Sequence, residues 1–206
     1  INIVLNDGQA ANNVNNGAIT ITDAVGVDVS QGSRQLAIFT GALTLDAADT
    51  TSFSLTGANS LAVTMGAVNG TAVLETFSLT SAASSAVVVG ALATATALTT
   101  LNLTGTTGDV TMTTLGGAGA ASADLLANVN ATATGGSTIA VGDLLADDAT
   151  TAAGENAMTV AISAHDTSTV TFTSFNNQFG SINATVTSDS SSSVNFGSLT
   201  TTDEIN

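Results

Sequence analysis

Phe53-Ser54-Leu55-Thr56 recurs as Phe77-Ser78-Leu79-Thr80 and, another 24 residues on, as Leu101-Asn102-Leu103-Thr104. A second phrase travels with it: Val63-Thr64-Met65-Gly66-Ala67-Val68 returns as Val87-Val88-Val89-Gly90-Ala91-Leu92. A short fixed period marks a stacked repeat, in which one unit cannot bury its own apolar face and its neighbours must cover it. Within each phrase apolar residues alternate with hydroxyl residues, the two-residue period of a strand with one buried face. Phe53 and Leu55 point in; Ser54 and Thr56 point out.

A second strand begins a fixed distance further on. The interval is eight residues from Leu55 to Val63, Leu79 to Val87, Ile162 to Val170 and Val186 to Val194, and seven from Leu103 to Val110. Its form is apolar-x-apolar, then Gly or Thr, a small residue, and a further apolar residue. Versions of it read Ile38–Leu43 (loosely), Val63–Val68, Val87–Leu92, Val110–Leu115, Ile139–Leu144, Val170–Phe175 and Val194–Leu199. Their starts lie 25, 24, 23, 29, 31 and 24 residues apart. The two long intervals read as insertions near 116–127 and 145–157. The first opens on Gly116-Gly117-Ala118-Gly119; the second holds Asp147-Asp148 and Glu155-Asn156. A third element, Thr71–Thr76 and Thr94–Thr100, fills the rest of the coil, and Ala118–Ala127 has the composition of a short helix.

These patterns predict an all-β chain, a right-handed parallel β-helix or β-solenoid with 24-residue coils. About eight coils at ~4.8 Å each give a rod of ~40 Å. The competing fold is an antiparallel β-sandwich, which also has short strands at regular spacing. Sandwich strands share no residue-level repeat, and this favours the solenoid. The whole of 1–206 reads as a single elongated body, and its start at Ile1, without an initiator methionine, as a fragment or processed form. Proline is absent, as suits central strands that use every backbone N–H.

Composition bounds the partners. Apolar residues make up 44% of the chain, enough to bury a core, but they are mostly Ala, Val and Leu with seven Phe and no Trp or Tyr. Sixteen acidic residues face one arginine, Arg34, and no lysine, for a net charge of −15. That balance repels nucleic acid, which is bound through Lys and Arg, and anionic lipid. No apolar run approaches the ~20 residues of a membrane helix. Without cysteine there is no disulfide, thiol nucleophile or Cys-type zinc site.

Few residues have the makings of chemistry. His165 is the only histidine. With Ser163 and Asp166 it imitates a nucleophile, base and orienter, but three near-adjacent residues at a strand end point in different directions. The expectation there is an exposed turn. Polysaccharide cleavage, common among β-helices, calls for clustered carboxylates, sugar-stacking aromatics and cationic groups; here the acids are scattered and Trp and Tyr are missing, so no catalytic residue is assigned. The densest acidic group, Asp143, Asp147, Asp148 and Glu155, offers the oxygen ligands that calcium takes. Asp23 with Asp28, and Asp46 with Asp49, are weaker pairs. The outward residues Thr56, Thr80, Thr104, Ser163 and Thr187 form a hydroxyl rank. An ice-binding face would need Thr-x-Thr in nearly every coil, and Thr111/Thr113 and Thr171/Thr173 alone supply it. Sequons stand at Asn69, Asn102, Asn130 and Asn183.

Leu98-Thr99-Thr100-Leu101-Asn102-Leu103-Thr104-Gly105, with the missing Cys and Lys and the acidic balance, resembles the β-strand-repeat regions of bacterial surface-layer (S-layer) proteins and large secreted adhesins. The resemblance covers roughly Gln35–Leu199. It implies export, assembly outside the cell and calcium in lattice formation, although the Gly-Gly-x-Gly-x-Asp repeats of the calcium-binding branch are absent. It transfers no catalytic residue. The expected role is thus an extracellular, cell-surface structural protein, a self-assembling subunit of a layer or filament. Its expected partners are copies of itself and a cell-surface glycan. The alternative is an adhesin stalk presenting its two insertions from a rigid solenoid.

Overall fold

One side chain in two along each phrase is apolar, so each strand needs a cover on one side only, and a second sheet supplies it. The computed structural model describes residues 1–5, 14–31, 38–59, 62–92, 94–116, 125–146, 157–177, 180–201 and 204–206, with backbone alone at 5, 14–16 and 38–40. Among them no helix occurs. The first sheet takes one strand from each coil: Asn2–Leu5, Gly26–Gln31, Ser52–Gly57, Thr76–Ala82, Thr100–Thr106, Asn128–Thr134, Met158–Ala164 and Ile182–Ser188. Each pairs in parallel with the coil before and the coil after.

The second sheet repeats this order with Val14–Asn16, Ile38–Thr40, Val63–Met65, Ala86–Leu92, Asp109–Leu115, Thr138–Ala146, Thr169–Asn177 and Ser193–Phe196. Short segments past a bend, Ile19–Thr20, Leu43–Thr44, Val68–Asn69 and Leu199–Thr201, extend its edge. Parallel pairing of the same element in successive coils is a β-solenoid. The antiparallel sandwich is excluded.

The register follows the repeat. Phe77 faces Phe53 on one side and Leu101 on the other. The second-strand starts Ile38, Val63, Val87, Val110, Ile139, Val170 and Val194 stand in one column. Both long intervals are absorbed without a slip, since Leu101 faces Val129 and Val129 faces Val160. Each insertion leaves the second sheet and returns to the first, in adjacent coils. A one-residue slip would turn every inward side chain to water.

Inward residues of both sheets form one core in which Leu55, Leu79, Leu103, Val87 and Val110 are fully or almost fully buried. Burying one such side chain contributes about 1.5–3 kcal/mol. Phe53 and Phe77 stack at 5.1 Å between ring centroids, and Phe172 stacks on Phe196 at 5.5 Å. Buried hydroxyls at the turns are satisfied by main chain: Thr50 donates to the Ala24 carbonyl at 2.6 Å and Ser137 to the Gly105 carbonyl at 2.8 Å.

The Gly-or-Thr position of the second phrase is where the alternation changes phase. Val87 and Val89 are buried, Gly90 and Ala91 both face outward, and Leu92 is buried again. The strand bends there. Backbones of successive coils come close at the bend, with the Gly90 N–H donating to the Gly66 carbonyl and the Gly66 N–H to that of Gly41.

Two expectations need correcting, and a third is left untested. Thr71–Thr76 and Thr94–Thr100 are not a third strand: turns at 72–73 and 96–97 lead into first-sheet strands beginning at Thr76 and Thr100, and buried Leu74 and Leu98 fill the corner between the sheets. Ile38–Leu43 is divided by the bend into Ile38–Thr40 and Leu43–Thr44, Val63–Val68 into Val63–Met65 and Val68–Asn69, and Val194–Leu199 into Ser193–Phe196 and Leu199–Thr201. The helix expected over Ala118–Ala127 lies largely outside the described residues, and the described part is turn and irregular chain. The repeat also begins earlier than its most legible phrases, with Asn2–Leu5 as the first rung.

Candidate functional site

Of the predicted cation ligands, Asp143 lies on Thr138–Ala146, exposed, between Thr114 and Ser174 of the neighbouring coils. Asp147, Asp148 and Glu155 fall outside the described residues, as does Arg34.

Among the described residues the carboxylates that meet are Asp23, Asp46 and Asp49, whose ligand oxygens lie within 4.8 Å of one another. Asp46 joins Asp49 as expected, but its other neighbour, Asp23, comes from one coil below rather than from nearby sequence. Asp28 is elsewhere, accepting a hydrogen bond from the Ser54 hydroxyl at 2.6 Å on the outer face of the first sheet. Asp46 accepts from the Asp23 N–H at 2.8 Å and the Ala48 N–H at 2.9 Å. These bonds hold its carboxyl below the usual carboxylate range. Its oxygens therefore already organise two turns.

A second such turn contains His165. Asp166 and Thr167 both take positive φ, 57° and 66°, and reverse the chain between the sheets. The His165 imidazole lies 3.9 Å from a carboxylate oxygen of Asp189, one coil above. Asp189 is held well below the ordinary carboxylate range by the Ser192 hydroxyl, the Asp166 N–H at 2.7 Å and the N–H and hydroxyl of Ser191. A depressed carboxylate stabilises the fold above its unfolded-state pKa and loses that contribution as pH falls through its folded value. Asp189→Asn should therefore lower the melting temperature at neutral pH, and the deficit should close as pH is taken below about 3.8. Thermal unfolding of both proteins across that range is the check.

The outer face of the first sheet is built from columns of small polar residues. The hydroxyl rank is longer than expected: Ser30, Thr56, Thr80, Thr104, Thr132, Ser163 and Thr187 stand in one line. Beside it Asn130 donates to Asn102 at 2.9 Å and Asn102 to Ser78 at 3.3 Å. Two of the sequon asparagines thus bond along the rod, an outward counterpart of the stacking inside.

The ends of the rod differ from its middle. Asn2–Leu5 and Ile182–Ser188 close the first sheet, each with a neighbouring strand on one side. In the last coil Ile182 stays buried but the inward positions after it lose their cover: Val186 is 48% exposed, and Ala184, Val194, Phe196 and Leu199 are half-buried. Ile162, one coil below Val186, is 2% exposed. At the other end Ile3 and Ile19 are likewise half-buried. Open ends of a strand ladder with apolar columns running out to them are sites for further pairing. Comparison with family models, with curated proteins and with solved structures finds no match.

Proposed function

We propose that the protein is an extracellular structural element, a self-assembling subunit or module of a surface layer or filament. The observation that carries this reading is that, among the described residues, apolar columns run out incompletely buried at both ends of the strand ladder. Two sheets run the length of the rod, and among the described residues neither terminal first-sheet strand is covered by another full strand. Among the described residues the terminal rungs present isoleucine, valine and leucine, side chains that further pairing would cover. The long polar columns of the first sheet fit a surface that faces water.

Fifteen net negative charges oppose side-by-side packing, because exposed like charges repel within a Debye length of ~10 Å at 0.1 M salt. Lateral association then needs screening or a cation shared between copies. Calcium bridging through Asp143, Asp147, Asp148 and Glu155 is the form we propose, since carboxylate oxygens suit that ion. Light scattering in millimolar calcium against sodium chloride of equal ionic strength separates the two. Faster, larger growth in calcium supports bridging. Equal growth means screening suffices and removes the metal from the account, and no growth in either salt overturns self-assembly itself.

A further inference from the structure

We infer that the outer face of the first sheet is an ice-binding surface, a function that does not depend on the self-association proposed above. Thr56, Thr80, Thr104, Thr132, Ser163 and Thr187 supply one hydroxyl from each of six successive coils, in unbroken register. None of the six has a hydrogen-bond partner among the described residues, whereas Asn102 and Asn130 beside them bond along the rod. Four residues back on the same strands a second rank, from Ser52 to Asn183, is hydroxyl or amide in every coil. Charge is kept off this face. Among the described acidic residues Asp28 alone lies on a first-sheet strand, tied to the Ser54 hydroxyl at 2.6 Å; the others lie on the second sheet or between strands.

Ice presents a neutral lattice of O–H donors and oxygen acceptors at fixed repeats. Its partner needs groups that both donate and accept, no charge holding a hydration shell of its own, and rigid spacing. A hydroxyl both donates and accepts, and β-branching stiffens threonine at χ1. The ladders space the hydroxyls at ~4.8 Å along the rod, with ~6.7 Å between alternate residues of a strand, close to the oxygen repeats on a prism face of ice. The second sheet breaks its Thr-x-Thr pattern at Gly66, Gly90 and Gly142, whereas the first has hydroxyl-x-hydroxyl in Ser78/Thr80, Thr132/Thr134 and Thr185/Thr187. Charge also decides the occupant. A basic partner would find no carboxylate here beyond Asp28, and an acidic one would be repelled by a chain of net charge −15. A neutral glycan is the rival, but sugar rings call for stacked aromatics. Trp and Tyr are absent, and Phe53, Phe77, Phe172 and Phe175 are buried.

Slow freezing of a dilute solution onto a cold surface is the test, because a protein that binds ice enters the growing crystal and other solutes are pushed ahead of it. The parent should enter the ice and slow recrystallisation in a frozen film. Thr80→Tyr, a bulky intrusion in the middle of the rank, should lose both effects. Thr132→Lys, which adds a charge at an exposed position of the same rank, should lose them too. Thr173→Tyr, exposed on the outer face of the second sheet, should behave as the parent. Circular dichroism and the melting temperature of each variant identify those that keep the fold, and Thr132→Lys decides the matter if Thr80→Tyr does not. Exclusion of the parent from the ice would overturn the proposal. So would equal behaviour of first-sheet and second-sheet variants. Retention on insoluble cellulose or chitin that Thr80→Tyr removes, with exclusion from ice, would give the face to a glycan and overturn it as well.

Discussion

Phe77→Ala should lower the free energy of unfolding by about 3–5 kcal/mol, the usual cost of removing a buried aromatic ring and leaving its cavity. Phe77 is fully buried and stacks on Phe53 with planes 18° apart. Neighbouring coils cannot collapse into the gap, because main-chain ladders fix the distance between them on both sides. Phe77→Leu should cost much less, within about 1.5 kcal/mol, since Leu101 occupies the same column one coil up. Denaturant unfolding followed by circular dichroism measures both. Equal losses for the two variants would mean that the aromatic stack, and not the apolar volume the ring fills, holds this part of the rod together.

The second large effect is expected at Gly70, which has φ of +71°. A Cβ there would enter the envelope of the Leu45 carbonyl oxygen in the coil below. Gly70→Ala combines the left-handed penalty of about 1–2 kcal/mol with a forced backbone shift of about 1–3 kcal/mol. Both push the same way. Gly17 is the control: nothing lies within 4 Å of a Cβ built on it, so Gly17→Ala should stay within about 0.5 kcal/mol of the parent. Melting temperatures of the two variants beside the parent read the contrast directly.

The fold was legible because stacking places equal residues at equal offsets. Phe53, Phe77 and Leu101 announce their pairing, and even the intervals of 29 and 31 residues leave the column of second-strand starts intact. The same rule explains a miss. Asp23 and Asp46 meet, as do Asp166 and Asp189, because each pair is 23 residues apart, one coil; reading Asp23 with Asp28 followed sequence proximity, where the period was the better guide. The turns between sheets were not legible. Ala83, Ser84, Thr107, Asp166 and Thr167 all take positive φ, yet carry none of the Gly or Asn that advertises such a conformation. Gly70, Gly116 and Gly135-Gly136 do so. The supporting ladders impose the turns elsewhere. The first two coils were faint for a different reason: the strands of the first are short, and in the second Val27-Asp28-Val29 lacks the Phe-Ser-Leu wording of its neighbours.

The proposed self-association is the centre of this account, and sedimentation velocity over a wide concentration range, with electron microscopy of the same samples, tests it most directly. The expected result is mass-action growth beyond 20.0 kDa into particles longer than the ~40 Å that about eight strand spacings span, elongated along one axis. A single 20.0 kDa species at every concentration, with and without calcium, would contradict it.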